Sequence, residues 1–155
     1  MWIEDVMKSN SLPANITIHR LHGPLIGTVE VKNREGLTSA LASQLRRNLI
    51  AHGAEQDVQY FLLFSQDRGF LWHNRGRSDS AAPPDAEFPM DPVIHRYLPT
   101  NGPGRLRNSE LETIIFSWLA DTSELTAVPS TEPERTLALA GFLDAIRGGT
   151  FTRAA

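Results

Sequence analysis

Hydrophobic and polar positions alternate with a period of two between Asn15 and Asn33 and take a helical period soon after. The first strand expected, Asn15 to Leu21, is rich in the β-branched residues Ile16, Thr17 and Ile18. His22-Gly23-Pro24 is its turn, and Leu25 to Asn33 returns antiparallel. On this second strand Val29 and Val31 point to one face, and Glu30 and Lys32 to the other. A strand that only filled a core would not carry two charges on one face, so Gly27 to Asn33 is the candidate site. A two-residue loop at His22-Gly23 pairs Leu21 with Pro24, and the same register sets Asn15 opposite Glu30. Opposed residues share a face at about 5 Å, which would gather Asn15, Glu30 and Lys32 into one polar cluster. Ile16, Ile18, Val29 and Val31 would form the apolar face.

The spacing predicts further elements on both sides. Trp2 to Lys8 is a short helix in which Glu4 and Asp5 lie about one turn before Lys8. Leu37 to His52 is a helix with Leu37, Leu41, Leu45 and Leu49 advancing by four, stopped at Gly53. At about 100° per residue Gln44 and Asn48 fall within its apolar arc, Arg46 on the solvent side and Arg47 at the edge beyond Ala40. Two amides in an apolar arc need partners or a polar site. Tyr60 to Ser65 is a buried central strand, and Phe70 to His73 follows it after the turn Gln66 to Gly69, making a hairpin. Arg75 to Glu87 is a polar loop, Asp91 to Leu98 a short helix, and Asn101 to Gly104 a loop. Ser109 and Glu112 have capping-box spacing ahead of a helix carrying Leu111, Ile114, Ile115, Trp118 and Leu119. A last helix runs from Pro133 to Arg147 and closes at Gly148-Gly149.

Composition narrows the function classes. A length of 155 residues suits a single domain, 1–155, with one core. The absence of cysteine excludes disulfides, thiolate metal sites and cysteine nucleophiles. No apolar run approaches the roughly 20 residues that span a bilayer, and the first five residues lack the basic start of a signal peptide, so no membrane and a cytoplasmic location are expected. A net charge of −3 argues against nucleic-acid binding through overall basicity. The arginines nonetheless cluster as Arg46-Arg47, Arg75 and Arg77, and Arg105 and Arg107. His19, His22, His52, His73 and His95 have no metal-ligand spacing.

A divalent cation that cleaves a phosphodiester needs hard oxygen ligands, with a lysine nearby to position water and stabilise charge on the phosphate. The order found here is a short acidic helix, Pro13-Ala14-Asn15 opening a strand, a turn, Glu30-Val31-Lys32, and a helix bearing Gln44. This order resembles the PD-(D/E)XK, or restriction endonuclease-like, nuclease superfamily. That superfamily has an α-β-β-β-α-β core in which the first strand brings an aspartate and the second brings Glu-x-Lys. Tyr60 to Asn74, Trp118-Leu119 and Ala140-Gly141-Phe142 to Gly149 also resemble a group of uncharacterised bacterial proteins of this kind.

The resemblance implies an α/β domain with a mixed central β-sheet flanked by α-helices, acting as a nuclease (a hydrolase) with Mg²⁺ or Mn²⁺ on DNA. Glu30 would ligate the metal, Val31 would offer its carbonyl, Lys32 would be the catalytic lysine, Gln44 the supporting amide, and Glu4, or failing that Asp5, the upstream helical acid. Where the family pattern has aspartate, this chain has Asn15. An amide oxygen can ligate a cation but brings no charge, so metal binding would be weak. The resemblance therefore implies either an impaired nuclease or a catalytically inactive binding or assembly module, including a homodimer, on the same fold. A Glu-x-Lys pair is also an ordinary pattern for a solvated strand face.

Overall fold

The computed structural model describes residues 14–54, 57–74, 80–98 and 104–154. The helix expected at Trp2 to Lys8, with Glu4 and Asp5, lies outside them. Six strands form one mixed sheet in the order β5-β4-β3-β2-β1-β6. They are β1 (Ile16–His19), β2 (Leu25–Val31), β3 (Tyr60–Phe64), β4 (Arg68–His73), β5 (Ala86–Pro89) and β6 (Thr150–Arg153). The helices among the described residues are α1 (Ser39–Ala51), α2 (Asp91–Tyr97), α3 (Asn108–Thr122), α4 (Glu134–Leu139) and α5 (Phe142–Ile146). None is long and apolar enough to cross a membrane.

The β1–β2 hairpin has the register its sequence predicts: Ile16 pairs with Val29, Thr17 with Thr28 and Ile18 with Gly27. A bulge between Ile18 and His19 moves the last pair to His19 and Leu25. That irregularity ends the ladder at His19 instead of Leu21. β2 and β3 are parallel, joined by α1 as the crossover, and all other neighbours are antiparallel. β2 and β3 are the central strands and are buried along nearly their whole length, as the continuous apolar run of β3 suggests.

The two sheet faces carry separate cores. Ile16, Ile18, Val29, Val31, Leu62 and Phe64 pack against Leu111, Ile115, Trp118 and Leu119 of α3 and against Leu137, Phe142 and Ile146 of α4 and α5. On the other face Phe61, Leu63, Phe70 and Trp72 meet Leu37 and Ala42, with Leu45 and Leu49 beside them. The result is three layers, helix on sheet on helix.

Helix α1 is rotated from the phase its leucines suggest. Leu37 precedes the cap, where Thr38 Oγ1 accepts the Leu41 N–H at 3.2 Å. Leu41 is 40% exposed, and Gln44 and Asn48 face solvent, while Ala42 and Arg46 are buried. Arg46 is therefore on the sheet side, not the solvent side. Its guanidinium lies 5.6 Å from the Phe61 ring centre and 5.3 Å from that of Trp72, where a delocalised cation can sit on aromatic faces.

Three other boundaries differ. The end of the expected polar loop, Ala86 and Glu87, is part of β5. This strand docks closely because Gly69 has no side chain: a Cβ there would lie 2.1 Å from the Phe88 ring. The expected last helix is two helices, divided at Gly141, whose φ of 82° breaks the helical path. β6, which was not expected, follows and pairs with β1.

Candidate functional site

β2 places Glu30 opposite Leu63 at the centre of the sheet, and Lys32 one residue beyond the last ladder pair. The Lys32 N–H still donates to the Phe64 carbonyl at 2.9 Å, so the chain stays tied to β3. Both side chains rise from the face shared with Thr28. Glu30 is only 5% exposed. Burial drives its carboxyl up from the ordinary 4.5 to about 7; Lys32 acts in the opposite direction and Glu112 adds to the rise. No described residue donates a hydrogen bond to this carboxylate, and the Thr28 hydroxyl, also buried, has no partner either.

Asn15 is next in the register after Ile16 and lies beside Glu30, as expected, but its amide is engaged elsewhere. Its Oδ1 accepts the Val31 N–H at 2.7 Å, and its Nδ2 donates to Glu112 Oε2 at 3.1 Å. The other Glu112 oxygen, Oε1, accepts from Arg153 Nε at 3.0 Å and Nη2 at 2.9 Å. The Ala154 N–H closes the circuit on the Asn15 carbonyl at 2.9 Å.

The structure thus brings together Asn15, Glu30, Val31 and Lys32. It does not bring Gln44 to them: this residue lies on the exposed face of α1, with no bond to the cluster. Glu4 lies outside the described residues. Glu112 is the residue that sequence reasoning missed, because it was assigned to a capping box. The helix begins earlier, with Arg107 as its cap, and Glu110 accepts the Arg107 N–H at 2.7 Å. Glu112 is thereby free to make tertiary contacts. Among the described residues no group of three or more His, Asp or Glu side chains could hold a metal.

Residues 104–108 strap the sheet end next to Lys32. Arg105 donates to Asn33 Oδ1 at 2.6 Å and to Asp67 at 3.0 Å, Asn33 Nδ2 donates to the Leu106 carbonyl, and Asn108 Oδ1 accepts the Asn33 N–H at 3.1 Å. Arg105 is thus committed to a structural tie, and Arg46 to the α1 core, while Arg75 and Arg77 lie outside the described residues. A further signal was present in the composition: the chain has 15 basic residues, of which only Lys8 and Lys32 are lysines. A lysine beside a buried carboxylate supplies a compact, titratable charge that arginine does not. Comparison of the chain with protein-family models, with curated proteins and with solved structures found no match.

Proposed function

We propose that the chain is a PD-(D/E)XK-type, restriction endonuclease-like domain whose site catalyses slow, metal-dependent hydrolysis of phosphodiesters in DNA. The observation that carries this reading is Glu30: a carboxylate only 5% exposed with no donor from any described residue, next to Lys32 and within the field of Glu112. A fold retains such a group at a cost to stability, and perturbed carboxylates of this kind concentrate at functional sites. The site lies toward the carboxyl ends of the only parallel strand pair among the described residues, where open α/β sheets place their ligands.

Mg²⁺ or Mn²⁺ fits the donor set in part. Glu30 offers a hard oxygen short of positive charge, whereas Asn15 Oδ1 is already committed to the Val31 N–H. When bound, the cation would act as a Lewis acid and make water a better nucleophile. Glu30 would hold it, and Lys32 would orient water and stabilise the charge that develops on the phosphate. Asn15, in place of an acid, would leave binding weak and activity low.

One departure from the family core bears on this reading. Only β1 and β2 precede α1 among the described residues, and the strand outside β1 is β6, from the far end of the chain. The second reading, an inactive binding or assembly module, is favoured by the Asn15–Glu112–Arg153 circuit, which satisfies its polar groups without a metal. Incubation with plasmid and single-stranded DNA in Mg²⁺ and in Mn²⁺ separates the two. Slow cutting that disappears in Lys32→Ala is the outcome expected of the nuclease. No cutting with either metal and either substrate selects the module.

A further inference from the structure

Among the described residues the sheet ends in two edge strands, β5 and β6, and they are built differently. β5 follows Pro83 and Pro84 and carries Glu87, which pairs with Arg68 at 2.6 Å. The Met90 N–H donates inward to the Asp67 carbonyl, so the preceding residue, Pro89, turns to the open side, where it has no N–H to offer. Prolines and charge are ordinary means of closing an edge. β6, Thr150-Phe151-Thr152-Arg153, has no proline, and its one charge is turned back onto its own chain, where Arg153 Nη2 donates to Glu112 Oε1 at 2.9 Å.

The register with β1 decides which groups the open edge offers. The Ala154 N–H donates to the Asn15 carbonyl at 2.9 Å, and antiparallel pairs alternate between bonded and unbonded. Thr152 opposite Thr17, and Thr150 opposite His19, therefore bond inward, while Phe151 and Arg153 direct their N–H and C=O groups outward. No described residue meets those outward groups. Phe151 and Phe116 are only partly buried, and both lie beside Arg153, whose guanidinium is 5.9 Å from the Phe116 ring centre.

We propose that β6 is the surface through which two copies of this chain associate, edge to edge and antiparallel, about a two-fold axis at Thr152. In this register every outward group finds a partner: Phe151 exchanges both its backbone bonds with Arg153 of the second copy, and Arg153 with Phe151 of the second copy. A register centred on Phe151 instead calls on Gly149, whose N–H already donates to the Ile146 carbonyl at 2.8 Å. The side chains suit the same axis. Thr152 meets Thr152 of the second copy at the close, unbonded position, where opposed threonines are a favourable pair. On the other face Phe151 lies opposite Arg153 of the second copy, an aromatic ring against a cation. Each Arg153 brings its own Glu112, so neutral ion pairs, not two bare cations, approach the axis. The association holds for an active nuclease and for an inactive module alike, because β1 separates β6 from the strand that carries Glu30.

Sedimentation equilibrium of the full chain at up to about 0.5 mM, a range in which small interfaces associate, is expected to reach twice the 17.2 kDa of one chain. Thr152→Lys and Thr152→Glu each set like charges against each other across the axis and are expected to stay at the mass of one chain, while an equimolar mixture of the two recovers the doubled mass. Hydrogen exchange on the unsubstituted chain reads the register, and decides even where a variant melts without cooperativity. Between dilute and concentrated samples the Phe151 and Arg153 amides are expected to slow at least about fivefold more than those of Thr150 and Thr152, which bond β1 in both. The mass of one chain at every concentration, a doubled mass that persists in both single variants, a mixture that fails to recover it, or equal slowing of all these amides overturns the proposal.

Discussion

Glu30 and Glu134 are both carboxylates taken out of water, 5% and 3% exposed, and both face an aromatic or aliphatic core. Glu134 meets donors on every side. Trp118 Nε1 and Arg96 Nη1 each reach Oε2 at 2.8 Å, and Arg96 Nη2 reaches Oε1 at 3.4 Å. Burial alone would raise its pKa, but these hydrogen bonds and the Arg96 charge outweigh it and hold the carboxyl below its ordinary value. Glu134 therefore acts as a staple joining α2, α3 and α4. Glu30 is as little exposed but lies deeper among protein atoms and has no such donors, and its carboxyl rises to about 7. Donors and depth together separate a structural carboxylate from one available for chemistry.

The contrast fixes the signs of two substitutions. Glu134→Ala leaves Trp118 Nε1 unsatisfied and Arg96 without its partner, and is expected to destabilise by about 3 to 4 kcal/mol in urea denaturation at pH 7. Glu30→Gln is expected to act in the opposite direction, stabilising by roughly 2 to 3 kcal/mol at pH 8, since each tenfold rise in a carboxylate's proton affinity on folding costs about 1.4 kcal/mol once the group is ionised. A loss of stability in Glu30→Gln would mean that the carboxylate has a favourable partner after all.

Their pH windows also differ. The raised Glu30 pKa means that the unfolded chain ionises first as pH rises from about 4.5, so the penalty grows up to about pH 7 and is constant above it. The benefit of Glu30→Gln should vanish near pH 4.5. The lowered Glu134 pKa means that its stabilisation is fully present above about 4.5 and is lost as pH falls through the folded value. Denaturation curves from pH 3 to 8 on both variants would reveal overlapping windows if this assignment were wrong.

Asn15→Asp brings a carboxylate within reach of Glu112 and removes the Nδ2 donor. It is expected to destabilise the metal-free protein by about 1 to 2 kcal/mol, to recover that loss with Mn²⁺ and to bind the cation more tightly. An unchanged melting temperature with and without Mn²⁺ would contradict this. The smallest effect concerns the other buried charge on the α1 side. Arg46→Ala removes a guanidinium lying near the Phe61 and Trp72 rings and should cost about 1 kcal/mol, whereas Arg47→Ala, on the exposed face, should stay within about 0.5. Equal effects in thermal melts would deny Arg46 its place in the core.

The hairpin was legible because β-branched residues on both sides of a short turn leave one register that keeps Ile16, Ile18, Val29 and Val31 on one face. That register alone sets Asn15 beside Glu30. The phase of α1 was not legible: Leu37 lies before the helix and Leu41 is exposed, so the leucine ridge pointed the wrong way, and an arginine held against Phe61 and Trp72 has no apolar signature in sequence. β5 and β6 are four residues each, β6 largely exposed, and they owe their existence to the edges of β4 and β1 more than to local preference. Glu112 was hidden by its spacing from Ser109, which mimicked a cap, while Glu110 bonds the Arg107 N–H that opens α3. Of the positions that meet at this end of the sheet, 15, 30, 32 and 112, only the first three share a local pattern.

The central claim, that Glu30 is a buried carboxylate without donors and available to a cation, is tested most directly by its own titration. In a chain with ¹³C-labelled glutamate, the Glu30 carboxyl resonance, assigned through Glu30→Gln, can be followed against pH with and without Mg²⁺. The expected midpoint is about 7, well above the ordinary 4.5, and moves down when Mg²⁺ is added. A midpoint near 4.5 that Mg²⁺ leaves in place would contradict it.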